Sequence, residues 1–443
     1  MDTRNQRRTK GSASVHVLVI LVPVIFGFIG FAVDLGQFYL ARNDLKTAAN
    51  SRALAAAQQL VGTEVALENA AGAAALSIEN TSGYGNRYFF SGFPIGETTG
   101  SLSSEAVEPE YYENLADALG TSGVTGASGA GGTTAKHVRV VLRGEVPITF
   151  WSFLPLAQER KLNLATVAVA GISAPLCSAC GIEPFAIAAL SVDDTVHFGF
   201  TPGTLYTFGY QCTGGGAPGV LAGTSQRIPY LLLDHYNQSA GTFIEEATQL
   251  YRIGLQGLPG LPPSTDNTRL ACITITDPTP SVLWGTAAGS TNASPVACNQ
   301  NRVNSGVTNM LCGLAARLSA EIPEACASIP EIDSLASAYS IDTDVTLVED
   351  YSAYTGNLRR VITAPIVEAL NTSTDGMVVL GFRQFLLEPT AADSTTINVS
   401  DSNGRFAVIY MGTDARPAPV PLKQGRFQGC SVAAGPGKVV LHQ

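Results

Sequence analysis

The hydrophobic pattern changes three times along this chain. From Gly11 to Val33, GSASVHVLVILVPVIFGFIGFAV runs for 23 residues with no acidic or basic side chain apart from His16. About 20 apolar residues of helix cross a bilayer, so the run predicts one membrane span. Pro23 is tolerable inside it, because lipid-embedded helices absorb a kink. From Asp34 to Leu60 the apolar positions thin to a stripe: Phe38, Ala41, Leu45, Ala48, Ala49, Ala56 and Leu60. Their three- and four-residue steps are those of an amphipathic helix, which would extend ~38 Å beyond the apolar run. Such a helix serves either as a stalk packed on the following domain or as a spine packed on copies of itself. Glu64 to Asn80 reads as a second Ala-rich helix, weakened at Gly72.

Residues 120–133, GTSGVTGASGAGGT, are a Gly/Ser/Thr linker or loop. After residue 136 the period falls to two. HVRVVLRG, the two halves of FGFTPGTLYTFGY around Pro202-Gly203, ACITIT, DVTLVED, RRVITAPIV, GMVVLGFRQFLLE and RFAVIYMG all predict strands rich in Val, Ile, Thr and Phe. Two helices interrupt them, SAGTFIEEATQLYRIG and SGVTNMLCGLAARL. This is an α+β layout with β dominant, not a βαβ alternation. It divides into 1–62 (basic tip, apolar helix and helical extension), 63–135 (helical segment and linker) and 136–443 (the β-rich body).

Charge sets the topology. Arg4, Arg7, Arg8 and Lys10 precede the apolar run, and positive flanks stay cytoplasmic, so the chain after Val33 is exported. The apolar run exceeds the ~7–15 residues of a cleaved signal core and has no clear A-x-A site, which favours a retained anchor. The whole chain carries −10 and residues 1–10 carry +3, so the rest carries −13. An acidic body gives no electrostatic footprint for nucleic acid.

Eight cysteines, Cys177, Cys180, Cys212, Cys272, Cys298, Cys312, Cys326 and Cys430, all follow the apolar run. An even count in an exported region predicts disulfides without fixing their pairing. Cys177 and Cys180 form a CxxC, but without the His of a haem site or a second CxxC for zinc, structural cystines are the better reading. The five histidines, His16, His137, His197, His235 and His442, show no metal-binding spacing, and His197 and His235 read as surface polar residues. Asp342, Asp344, Glu349 and Asp350 cluster without the glycine-turn spacing of a calcium loop, so a strand edge is the better reading. No H-E-x-x-H, G-x-S-x-G or Walker loop is present. The expectation is a non-enzymatic protein with no cofactor and no evident small-molecule substrate.

The segment AVDLGQFYLARNDLKTAANSRALAAA, with the basic block and apolar run before it, resembles the N-terminal region of the tight-adherence (Tad) family, the TadE/TadG-like Flp-pilus assembly proteins. The residues that carry the resemblance are Ala32, Val33, Asp34, Gly36, Tyr39, Leu40, Ala41 and Arg42, then Ala48 to Ala57. It spans residues 7 to about 60. KHVRVVLRGEVPITFWSFLPLAQERKLNLATVAVAG adds a weaker likeness to TadG-like proteins.

The resemblance implies an inner-membrane, single-pass bacterial protein with a periplasmic body. Its implied partners are the lipid bilayer and other pilus-assembly proteins or pilins, met through the N-terminal helix. Gly11, His16, Pro23, Asp34, Gly36, Tyr39 and Arg42 are the implied anchor and assembly positions. Gly11 matches the glycine after which prepilin peptidase cleaves, but His16 stands where pilins carry a glutamate. An imidazole cannot supply that negative charge, which argues against filament incorporation. No Asp-x-Ser-x-Ser adhesion motif is present either. A processed minor pilin or adhesin, and an anchored hydrolase, are the rival readings.

Overall fold

The computed structural model describes residues 9–76, 109–120, 130–148, 161–172, 178–180, 183, 185–211, 219–232, 272–274, 282–283, 305–319, 321, 323–326, 341–370, 377–389, 397–412 and 439–442. The architecture is α+β: a long N-terminal helix with an apolar stretch, then β-rich structure with a few short helices. Backbone contacts divide the chain into two compact units. One holds residues 1–59, 67–171 and 440–443; the other holds 60–66 and 172–439.

In the first unit, α1 (Thr9–Gln58) is continuous for 50 residues through Pro23. The second helix, α2 (Ala66–Leu76), buries Ala66, Ala70 and Ala74 at four-residue steps. β1 (Glu110–Tyr112) leads into the short α3 (Leu115–Ala118). β2 (His137–Pro147) and β3 (Lys161–Ile172) pair antiparallel over their whole length, from His137 opposite Gly171 to Pro147 opposite Lys161. β13 (Val439–His442) completes a four-stranded sheet in the order β1-β2-β3-β13. Alternation along β2 buries Val138, Val140 and Leu142, and α1 packs along this strand.

The second unit is a closed barrel of six described strands. They are β5 (Phe185–Ala188), β6 (Leu205–Tyr210), β7 (Arg227–Leu232), β10 (Val361–Val367), β11 (Met377–Glu388) and β12 (Phe406–Tyr410). The order is β10-β5-β7-β6-β12-β11, and β10 pairs with β11 to close it. β5 with β10 and β6 with β7 are parallel; the other pairs are antiparallel. Closure leaves no open edge among these six. β9 (Val282–Leu283) adds to β11, and β4 (Ser178–Cys180) pairs with β8 (Cys272–Thr274).

Aromatic residues fill the barrel. Phe208 meets Phe185, Phe385 and Phe406 edge-on, with centroids 5.1–6.3 Å apart. Such contacts add about 0.5–1.5 kcal/mol beyond area burial. α4 (Ser305–Ala315) packs Val307, Met310, Leu311 and Leu314 into the same core. A disulfide from Cys312 to Cys326 fixes it to the following turn. At Gly404 the backbone has φ +62°, and an added Cβ would lie 2.7 Å from both Tyr230 Oη and Val307 Cγ1, so only glycine fits that turn.

Two strand expectations change. In FGFTPGTLYTFGY only the second half is a strand; the first is a turn capped by Asp194, which accepts from the backbone N–H of Val196, His197 and Gly199. DVTLVED is not a strand. Asp342 accepts from Asp344 N, Arg360 N and Tyr354 Oη, and Asp344 from Thr346 N and Thr355 N. These side chains replace the ladder partners a strand would use. The expected helix at SAGTFIEEATQLYRIG lies outside the described residues.

Candidate assembly surface

Along α1 the exposed and buried positions switch character near Asp34. Before it, Val15, Val19, Phe28 and Phe31 are all more than half exposed, with Phe28 at 71%. Among the described residues, α1 is the one helix long and apolar enough to cross a membrane. After it, Ala41, Leu45, Ala48, Ala49, Ala53, Ala56 and Ala57 are at most 1% exposed. The alanine stripe therefore packs inside its own unit, along β2. The small side chains explain this: helix and strand backbones approach closely only where no bulk intervenes. The stripe is occupied and is not a free face for copies of the chain.

The opposite face stays open. Tyr39 is 61% and Leu40 58% exposed, and Gly36 beside them is exposed too; Arg42 is exposed on the flank of the alanine stripe. Nothing lies within 4 Å of where a Cβ at Gly36 would sit. Gly11 lies in the first turns of α1, His16 is exposed one turn later, and Pro23 sits within the exposed apolar stretch. Asp34 is half-buried on the wall of a groove of about 240 Å³, beside Phe31, Leu35 and Phe38 from α1 and Val146, Ile148 and Leu162 from the β2–β3 hairpin. One helix thus carries the seven residues singled out from the sequence. Gly36, Tyr39 and Arg42 lie on exposed positions and Asp34 lines a groove.

Several buried polar groups escape the sequence pattern. Arg52 is 1% exposed within the alanine stripe, and burial pulls its guanidinium below the usual range. In the barrel, Arg360 and Glu388 are an ion pair at 2.7 Å with both side chains fully buried. Arg360 also donates to the carbonyls of Leu387, Asp344 and Thr346. Burial pushes Glu388 up to about 7 despite Arg360. Arg317 donates to both oxygens of buried Glu183, at 3.0 and 3.2 Å.

His137 and His442, 305 positions apart in sequence, meet edge-to-face with centroids 5.3 Å apart. Burial, with His442 adding to it, lowers His137 to about 4. His197 is not a plain surface residue: its Nδ1 lies 3.2 Å from Tyr410 Oη. His235 lies outside the described residues. Among the described residues no group of three or more His, Cys, Asp and Glu converges to hold a metal ion. Of the eight cysteines, Cys312 and Cys326 are paired, Cys180 stands opposite Cys272 in backbone register, and Cys177, Cys212, Cys298 and Cys430 lie outside the described residues.

The fold and surface define an α+β protein led by one long helix, exposed and apolar in its first half, packed in its second. Residues 11–77 match the model of a family described as putative Flp pilus-assembly TadE/G-like. This match supports a role in Flp pilus assembly, and the family is typically structural. It ends within α2's neighbourhood, and the barrel lies beyond it. No curated protein and no solved structure matches the chain.

Proposed function

We propose that this chain is a TadG-like, membrane-anchored component of a Flp pilus-assembly system, working through contacts rather than catalysis. The observation that carries this reading is the abrupt switch on α1. An apolar helix surface with Phe28 at 71% exposure is costly in water and suits lipid, whereas the next turns are packed protein. The helix enters the bilayer with its basic N-terminus in the cytoplasm. The body lies in the periplasm, where the Cys312–Cys326 disulfide is stable. Residues 1–62 act as anchor and extension, 63–135 as a linker-bearing segment, and 136–443 as the exported body. That division is one of function, since backbone packing groups β2 and β3 with α1.

The open face at Gly36, Tyr39 and Leu40 receives the transmembrane or juxtamembrane helix of another pilus-assembly protein. The test is fractionation of the intact chain and of one lacking residues 1–33, with protease added to spheroplasts. Integral membrane behaviour that is lost on deletion, and a body cut from outside, are expected. A soluble cytoplasmic intact chain would sink the proposal.

A further inference from the structure

The groove at Asp34 lies where the anchoring helix leaves its apolar run. If Lys10 marks the cytoplasmic face, 20 residues of helix at 1.5 Å each bring the chain across ~30 Å of hydrocarbon by about Gly30. Phe31 then sits at the depth of the lipid carbonyls and Leu35, ~6 Å further along the helix, at that of the headgroups. The other wall comes from one end of the hairpin: Val146 near the end of β2, Ile148 just after it, and Leu162 near the start of β3. Since α1 packs along β2 and β2 ends at this groove, β2 runs back along α1 toward the apolar run. The hairpin end therefore lies beside the helix at the same depth.

Its side chains suit that depth. Phe31 is 52% exposed, and Leu35 and Leu162 are each 41% exposed. Asp34 is the one acidic residue among those lining the groove. By sequence alone, the residues joining the two strands include Phe150, Trp151 and Phe153, followed by Arg160 and Lys161 against one Glu159. Aromatic rings with basic neighbours are the residue types that accumulate at membrane interfaces.

We propose that the end of the β2–β3 hairpin is a second membrane contact, with the glycerol-ester and uppermost acyl segments of periplasmic-leaflet phospholipid filling the groove between Phe31, Leu35 and Leu162. The body is then held to the bilayer at two adjacent points, which fixes the angle at which α1 presents Tyr39 and Leu40. This rests on the anchoring reading above, and the two fail differently in one experiment. In the full-length chain in phospholipid nanodiscs, p-benzoylphenylalanine is placed singly at Phe28, Leu162 or Val167 and irradiated.

Val167 is an exposed position on β3, ~17 Å further along the strand than Leu162. Adducts of one phospholipid's mass are expected at Phe28 and Leu162 and only background at Val167. Lipid adducts at Phe28 but none at Leu162, or adducts at Leu162 only to a second copy of the chain, overturn the second contact and leave the anchor intact. Equal lipid labelling at Leu162 and Val167 also overturns it. Absence of lipid adducts at Phe28 overturns the anchor, and the second contact with it.

Discussion

Leu45 and Leu40 sit on the same helix five residues apart, and the two faces of α1 assign them opposite fates. Leu45 is 1% exposed and Leu40 is 58% exposed. Leu45→Ala removes roughly three carbons from a packed site. At ~0.8 kcal/mol for each buried methylene the transfer loss is about 2.4 kcal/mol. The residual cavity raises this toward 3 kcal/mol, within the observed ~2–5 kcal/mol range for such truncations. Leu40→Ala removes the same atoms from a surface and costs within ~0.5 kcal/mol.

The assay is urea unfolding of the full chain in detergent micelles, followed by near-UV circular dichroism. Wild type and Leu40→Ala are expected to share a midpoint, with Leu45→Ala clearly lower. In membranes the order reverses: Leu40→Ala weakens co-purification of pilus-assembly partners, while surviving folded Leu45→Ala does not. Equal destabilisation by both truncations would refute the assignment of faces.

Four further outcomes follow from buried groups. Arg360→Met strands Glu388 in the barrel wall and leaves three carbonyls without their donor, so it costs about 3–5 kcal/mol; adding Glu388→Leu should recover part of that loss in thermal unfolding. Glu388 binds its proton more tightly when folded, so its contribution to stability is full below pH ~4.5 and falls as pH rises through about 7; in Glu388→Gln unfolding titrations, that slope should flatten. His137 has the opposite sign: its contribution is present above pH ~6.5 and is lost as pH falls toward about 4, seen as lower hydrogen-exchange protection factors in β2 and β13 on acidification, and His137→Phe should blunt it. Gly171→Ala should destabilise the hairpin, because a Cβ there runs into the His137 ring, and His137→Ala in the same chain should relieve the loss in a melting curve.

The α+β class and the elements with a clean period were legible from sequence. The 23-residue apolar run is legible by its length, and the alanine stripe and the valine alternation of β2 by their helical and strand periods. DVTLVED misleads because its alternation is real while its aspartates are committed to local backbone N–H groups, and no pattern of apolar positions records that commitment. The barrel depends on pairing between distant segments, β5 with β10 and β6 with β12. The His137–His442 contact joins residues 305 apart, which spacing rules within one segment cannot reach. Nothing in the sequence marks Arg360 and Arg317 as buried, since residue type alone does not reveal a buried partner. At the assembly surface the sequence picked the helix and the motif positions; which faces are spent on packing became visible only once β2 lay against the alanines.

The central claim is that α1 anchors the chain and offers Gly36, Tyr39 and Leu40 to another pilus-assembly protein. Its most direct test is tagged full-length chain solubilised from native membranes, with co-purifying proteins compared between wild type and Tyr39→Ala/Leu40→Ala at equal folded yield. The account predicts Flp pilus-assembly proteins with the wild type and their loss from the double variant. Recovery of the same proteins with both would contradict the assignment of that face, and recovery of none with the wild type would contradict the assembly role itself.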